Sequence, residues 1–172
     1  MAEKLTIDAL NSLDDAGLEG RLGHVFEHAP WVARRAGTRR PFASRDALHL
    51  AMLDVIATAS DAEQLALLCG HPDLAGKAAI AGDLTADSRR EQQSAGLDRL
   101  TAVEYETFHA LNRRYREKFG FPFILAVKGK SKQDILAAFA ARVERDGAAE
   151  RREAIEQVGR IAALRPADIV VD

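Results

Sequence analysis

The chain is poor in the features that would tie it to a disulfide framework, a membrane or a nucleic acid. Cys69 is the only cysteine among 172 residues, which excludes an internal disulfide and a metal cage built from several thiolates. No apolar run approaches the roughly 18 residues that a membrane-spanning helix requires, and no signal-peptide pattern opens the sequence. The 24 basic and 26 acidic residues leave a net charge of −2, so no overall field attracts nucleic acid or a membrane surface. We therefore expect a soluble cytoplasmic protein that binds neither.

The remaining composition is that of an ordinary globular protein. Hydrophobic residues make up 47% of the chain and charged residues 29%, which is enough to bury a continuous core at this length. No internal repeat, low-complexity tract or long linker interrupts it. We predict a single domain over residues 1–172.

Helical patterns cover most of the sequence. Apolar residues recur at spacings of three and four after the N-cap candidates Ser44, Thr101 and Ser131, and a fourth run begins at Ala148 and stops near Pro166. Shorter helices are predicted over residues 17–26, 30–36, 62–68, 75–81 and 87–97. The fold prediction is an all-α bundle of about eight to ten helices.

One stretch, from Phe121 to Val127, lacks helical character. It could form a strand, but no partner strand is evident elsewhere in the sequence, so we expect an extended segment within an all-α protein. A buried segment of this kind has to satisfy its main-chain N–H and C=O groups in another way, and a bound ligand is one way. A plain apolar connector packed under the bundle is the alternative that the composition leaves open.

The richest chemistry lies around His71 and on the next predicted helix. His71 follows an apolar helical run that ends at Gly70, and Pro72 stiffens the loop behind it. An imidazole titrates near neutrality, and a carboxylate on a separate element, such as Glu91, completes the minimum equipment for proton transfer. Taken singly, His71 could be a structural loop histidine and Glu91 a surface carboxylate.

A competing pattern is the stretch His24-Val25-Phe26-Glu27-His28. It matches the H-x-x-E-H arrangement of some zinc peptidases, with two imidazoles one helical turn apart and Glu27 as a general base. The pattern lacks a third metal ligand, and Pro30 indicates that a helix ends close to His28. A metal-dependent hydrolase is therefore an alternative, and a helix end with partly exposed histidines is the simpler interpretation.

The motifs taken together resemble one known family. In order along the chain they are 25–32, 40–42, 71–77, 84–88, 91–92, 95–98, 111–112, 115, 118–124, 160–162 and 164–165. This ordered series is similar to that of the OHCU decarboxylases, where OHCU is 2-oxo-4-hydroxy-4-carboxy-5-ureidoimidazoline. The resemblance spans nearly the whole chain. It implies an all-α enzyme that converts OHCU to (S)-allantoin and CO2, the third step of urate breakdown, without a cofactor or a metal.

The resemblance also implies roles for individual residues. His71 would be the catalytic histidine, with Glu91 and Arg160 beside it, and Arg160 would meet a carboxylate or ureido oxygen. An ion pair with Glu156, one helical turn earlier, is the simpler interpretation of Arg160. The substrate-binding residues that the resemblance implies are Pro72, Ser88, Glu91, Gln92, Phe123, Ile124, Leu125, Ala126 and Val127.

The expected partner is a small purine-derived substrate, and relatives favour a homodimer although the sequence defines no interface. A helical binding module without turnover is the second hypothesis. It would explain the helical pattern and the near-neutral charge, but not the ordered motif series.

Overall fold

The computed structural model describes residues 4–166 and 169–171, with all of their side chains except those of Ala78 and Ile80. Helices dominate, which confirms the all-α prediction. No helix among these residues combines the length and the apolar character needed to cross a bilayer. The elements in chain order are β1 (Leu5–Thr6), α1 (Ile7–Asn11), α2 (Asp15–Leu22), α3 (Pro30–Gly37), α4 (Arg45–Ala57), α5 (Asp61–Cys69), α6 (Lys77–Ala81), α7 (Ala86–Ser94), α8 (Ala102–Phe119), α9 (Lys132–Arg142), α10 (Gly147–Leu164) and β2 (Val170–Val171).

The helix starts follow the capping residues of the sequence. Ser44, Thr101 and Ser131 each cap a helix, as predicted, and the last two form capping boxes in which an acidic side chain three residues on bonds back to the cap. The helix predicted over residues 17–26 has both of its boundaries wrong, and the helix predicted over 87–97 ends at Ser94. Helix α2 begins two residues early because Asp14 caps it, and it ends at Leu22 rather than Phe26.

The chain divides into two compact units, Met1–Gly70 with Gly159–Asp172 and His71–Val158. The first unit contains α1 to α5 and the last residues of α10, around a core of leucines and other apolar side chains. Within it, Arg165 donates to the Glu27 carboxylate at 2.9 Å, and both side chains are buried. The prediction of one domain over the whole chain stays a prediction.

The first unit also contains a small sheet that the sequence did not predict. Strand β1 pairs with β2 in parallel, with Leu5 opposite Val170, and the Leu5 N–H donates to the Ile169 C=O at 2.9 Å. Two-residue strands at opposite ends of the chain carry no alternating pattern, so sequence periodicity could not reveal them. The expectation that no strand exists outside residues 121–127 is therefore wrong, although β1 and β2 pair with each other and not with those residues.

The second unit contains α6 to α9 and most of α10, built around an aromatic cluster. Phe123 and Phe139 stack with their ring centroids 3.9 Å apart, and Tyr115 meets both rings edge-on. The rings of Phe108 and Phe121 extend the cluster. Of the site residues that the family resemblance implies, this unit holds all except Arg160.

Candidate active site

The segment 71–76, which we call the histidine loop, opens the second unit. It follows Gly70, the C-cap of α5, and runs without regular structure to the start of α6 at Lys77. The helix predicted from residue 75 begins at Lys77 instead, because Ala75 has a φ of 53° and cannot continue a right-handed helix. His71 is 6% exposed. The imidazole is therefore a buried group on a loop rather than a surface side chain.

Side chains from two helices hold this loop by its main chain. The side-chain amide of Gln92, on α7, accepts from the Ala75 N–H at 2.9 Å and donates to the Asp73 C=O at 3.2 Å. Asn112, on α8, donates to the Leu74 C=O at 2.9 Å. Gln92 and Asn112 are both buried, so these hydrogen bonds form away from competing water. Three consecutive residues after Pro72 are fixed in this way.

The loop also contains two features that demand a fixed conformation. A left-handed φ at a non-glycine residue such as Ala75 costs on the order of 1–3 kcal/mol and persists only where surrounding contacts impose it. A Cβ added to Gly76 would lie 2.7 Å from the Cβ of Asp73, which leaves room for glycine alone. Arg116 further binds the Asp73 carboxylate at 2.8 Å. The loop thus has one well-defined shape.

Helix α7 presents polar residues to the interior. Ser88 and Gln92 are each 4% exposed, Glu91 is half-buried, and their spacing of three and four places them on one side of the helix. Arg89 and Arg90 are exposed on the other side. Burial of polar groups costs free energy unless they are bonded, and the Gln92 amide meets this cost through its two bonds to the histidine loop.

The segment from Phe121 to Val127, which we call the extended segment, begins where α8 ends. Gly120 caps that helix with a φ of 79°, a left-handed conformation that turns the chain sharply. The segment has no helix and no strand, and all of its residues except Ala126 are buried. The expectation of an extended segment in an all-α protein is confirmed; its contact with a substrate stays a prediction.

Two side chains hold the main chain of the extended segment. Arg142, at the end of α9, donates from Nη1 to the Ile124 C=O at 2.7 Å. Gln157, on α10, accepts from the Ala126 N–H at 3.0 Å. Within the described part of the chain, the main-chain groups of Phe123 and Leu125 make no hydrogen bond.

Arg142 belongs to a buried ionic cluster. Its Nε donates to Glu150 Oε1 at 2.6 Å, and the Tyr115 hydroxyl donates to the same oxygen at 2.5 Å. Its guanidinium also lies over the Phe123 ring, 4.6 Å from the centroid. Burial, and then the neighbouring Glu150 carboxylate, raise the pKa of Tyr115 well above its ordinary value, so the phenol stays protonated and donates.

The structure brings several predicted residues together and leaves one apart. Gln92 joins the histidine loop to the buried side of α7, where Ser88 and Glu91 also lie. Pro72 lines a cleft of about 340 Å³, together with basic side chains that include Lys77, Arg113 and Arg116. Arg160 is an exposed residue of α10 in the first unit, and its place beside His71 stays a prediction.

Residues 24–28, as the structure describes them, lack the helix on which the alternative of a metal-dependent hydrolase depends. Helix α2 ends at Leu22, so His24 and His28 do not lie one helical turn apart, and His28 has a φ of 52°. Glu27 pairs with Arg165. Among the described residues, no three His, Cys, Asp or Glu side chains converge closely enough to hold a metal ion.

The sequence did not predict that three side chains would bond the main chain of the histidine loop and the extended segment. Asn112 appeared in a motif without a role, and Arg142 and Gln157 were not considered. A signal exists for Arg142, since it follows buried Ile135 and Phe139 at helical spacing on α9. A polar residue on the apolar stripe of a helix indicates a buried partner.

Comparison with known proteins gives a family match and several relatives. The family model described as OHCU decarboxylase matches residues 11–167. The uric acid degradation bifunctional protein of Bacillus subtilis is 45% identical over 97% of this chain, and the chain spans 33% of that protein's length. The OHCU decarboxylase of Halalkalicoccus jeotgali is 43% identical, covering 98% of this chain and 93% of that protein.

Two solved structures are also similar. A crystal structure of (S)-allantoin synthase has a TM-score of 0.79 and 32% identity, and the match covers 97% of this chain and 54% of that one. A crystal structure of OHCU decarboxylase in the presence of (S)-allantoin has a TM-score of 0.66, with 80% of this chain and 89% of that one covered. The identity to the second is 22%, so that likeness concerns the fold alone.

Proposed function

Since the chain belongs to the OHCU decarboxylase family, we propose that it converts OHCU to (S)-allantoin and CO2 in the degradation of urate. The observation that carries this proposal is the direct bonding of the histidine loop to the buried polar side of α7. These bonds join the loop that carries the buried His71 to a helix that buries polar groups. Such a site suits a small polar substrate and a proton transfer.

The substrate can take up the electron pair that decarboxylation releases. Its carboxylate is on a carbon that also bears a hydroxyl and lies next to a ring C=N. When the C–CO2 bond breaks, its electron pair forms a C=C bond to the neighbouring carbon, and the C=N π pair moves onto nitrogen, which takes a proton. The hydroxyl then loses its proton to become a ketone as that neighbouring carbon gains one. No cofactor is needed to store the electrons, and we propose that none is used.

The protein's contribution is positioning and proton transfer. The carboxylate has to stand perpendicular to the conjugated plane, which fixed hydrogen-bond donors and acceptors can impose. One face of the new stereocentre has to receive the proton, and His71 is the proposed group for proton transfer, with Glu91 as its carboxylate partner. A buried imidazole on a rigid loop suits both demands, because its position is fixed and it can both donate and accept a proton.

The other proposed contacts divide between side chains and main chain. Pro72 lines the substrate pocket, and Ser88 hydrogen-bonds the substrate. Gln92 hydrogen-bonds it as well, through the amide N–H and the oxygen lone pair that its bonds to the histidine loop do not use. The extended segment supplies main-chain groups, and the unbonded N–H and C=O of Leu125 in the described structure support this role. Arg160 meets a carboxylate or ureido oxygen.

The test is turnover of freshly generated OHCU by the purified protein without added cofactor. We expect the ultraviolet absorbance of OHCU to decay much faster with the protein than without it, and treatment with EDTA to leave the rate unchanged. A rate equal to the spontaneous decay contradicts the proposal. A binding module without turnover would give that result, and a metal-dependent enzyme would lose its rate to EDTA.

We also propose a location and an oligomeric state for the protein. The protein works in the cytoplasm on a small purine-derived molecule, with neither nucleic acid nor membrane as a partner, and it forms a homodimer. Analytical ultracentrifugation tests the homodimer, for which we expect a mass near twice 18.7 kDa.

A further inference from the structure

The two side-chain hydrogen bonds to the extended segment fall on alternate residues, and a turn bond from the Lys130 N–H to the Val127 C=O closes its end. Ile124 is bonded through its C=O to Arg142, and Ala126 through its N–H to Gln157. In extended chain the N–H and C=O of one residue point to the same side, and those of the next residue point to the other side. The main-chain groups of Ile124 and Ala126 therefore face Arg142 and Gln157, and those of Leu125 face away from them.

From this alternation we propose that Gln157 and Arg142 are positioning residues that fix the direction in which Leu125 presents its N–H and C=O to the substrate. The proposal rests on the function proposed above and adds the side chains that act behind the substrate-lining segment. Leu125 offers one donor and one acceptor side by side. A ureido group or a ring amide presents the complementary acceptor and donor.

Each positioning side chain is itself fixed. Gln157 Nε2 donates to Glu153 Oε1 at 2.8 Å, which orients its amide so that the oxygen faces Ala126. Arg142 is 5% exposed and is held by Glu150 and by the face of the Phe123 ring. Neither side chain can swing away from the segment without giving up a second contact.

A merely structural role for Gln157 makes a different kinetic prediction. If Gln157 only stabilised the fold, its loss would reduce the concentration of active enzyme and so lower apparent kcat, while KM would stay the same. If Gln157 sets the direction of the Leu125 N–H and C=O, its loss weakens substrate binding and raises KM with kcat nearly unchanged. The reason is that the contact between Leu125 and the substrate stabilises the bound substrate and the transition state equally.

The experiment compares Gln157→Met with a double variant in which the side chains of Glu153 and Gln157 are exchanged. Met has similar volume but cannot accept from the Ala126 N–H, so we expect KM to rise about tenfold and kcat to change by less than about twofold. In Glu153→Gln with Gln157→Glu, the carboxylate at position 157 accepts from Ala126 and the new amide at position 153 donates to it. This double variant is expected to restore KM to within about threefold of the wild type.

A matched control removes a different side-chain bond from the same unit. Lys132 donates to the Arg99 C=O at 3.2 Å and to Glu104 at 2.8 Å, away from the extended segment. Lys132→Met should lower stability without raising KM. An unchanged KM in a folded Gln157→Met variant, with normal wild-type turnover, overturns the positioning role alone. A wild-type protein that does not turn over OHCU overturns the proposed function, and this proposal with it.

Discussion

The second unit holds two irregular segments by different sets of side chains. The histidine loop is bonded mainly by neutral amides, those of Gln92 and Asn112. The extended segment is bonded by one neutral amide, Gln157, and by the buried guanidinium of Arg142, whose charge is balanced by Glu150. The first segment carries a side chain proposed for chemistry, and the second carries main-chain groups proposed for binding.

Because the two segments are held by different side chains, substitutions of those side chains should have different effects on stability. A buried amide that is lost leaves one or two main-chain groups without partners, which costs a moderate amount. A buried charge that is lost leaves its counter-ion stranded in the core, which costs much more. The histidine loop is therefore expected to be the sensitive place for catalysis, and the ionic support of the extended segment the sensitive place for folding.

The largest effect on activity should come from the side chain that the histidine loop presents. His71→Asn keeps a hydrogen-bonding group but cannot exchange a proton near neutral pH. We expect kcat to fall by about 10²–10⁴-fold with a nearly unchanged melting temperature. Steady-state kinetics and a thermal melt measure the two quantities. A variant within about threefold of the wild-type rate would remove His71 from the chemistry.

The largest effect on stability should come from the ionic cluster behind the extended segment. Arg142→Leu leaves the fully buried Glu150 carboxylate with only the 3.9 Å ion pair to half-exposed Arg145, so the free energy of unfolding should fall by about 3–5 kcal/mol. Urea denaturation at pH 7 measures it. Adding Glu150→Gln removes the buried charge and keeps an acceptor for Tyr115, so the double variant should regain part of the loss. A double variant no more stable than Arg142→Leu contradicts this assignment.

The neutral support of the histidine loop should give a smaller change. Gln92→Met removes the buried acceptor of the Ala75 N–H, and we expect a loss of about 1–3 kcal/mol in the free energy of unfolding. The neighbouring Gln93 is exposed on the same helix, which makes Gln93→Met the matched control, with a change within about 0.5 kcal/mol. Equal losses in the two variants would mean that the Gln92 amide does not hold the loop.

The smallest effect concerns alkaline pH. The folded state raises the pKa of Tyr115 above its unfolded value of about 10. The stabilisation is therefore complete below about pH 10 and is lost as the pH rises further, by at most about 1.4 kcal/mol per pH unit. Tyr115→Phe should show a shallower loss than the wild type above pH 10, and Gln92→Met should keep the wild-type slope. Identical slopes in wild type and Tyr115→Phe would argue against the raised pKa.

Sequence reasoning succeeded where local chemistry decides structure. The N-caps Ser44, Thr101 and Ser131 fixed three helix starts, because a hydroxyl that accepts from the first turn is a short-range signal. The irregular character of the extended segment was also visible, since its apolar residues follow no helical spacing. The overall helical fold followed from signals of this kind.

The features that the sequence did not predict share a physical cause, because each depends on a residue far away in the chain. The pairing of Leu5 with Val170 depends on residues at opposite ends of the chain. The delayed start of α6 depends on the left-handed Ala75, whose N–H is held by Gln92 from another helix. The bond between Gln157 and Ala126 is likewise invisible locally, because glutamine on a helix is an ordinary surface residue in most sequences.

The most direct test of the account is the handedness of the product. Wild-type protein is added to freshly generated OHCU, and the circular dichroism of the allantoin is recorded before it racemises. We predict the signal of (S)-allantoin in full enantiomeric excess, because His71 on the buried histidine loop is proposed to deliver the proton to one face only. An optically inactive product formed at the enzymatic rate, or an excess of the (R) form, would contradict it.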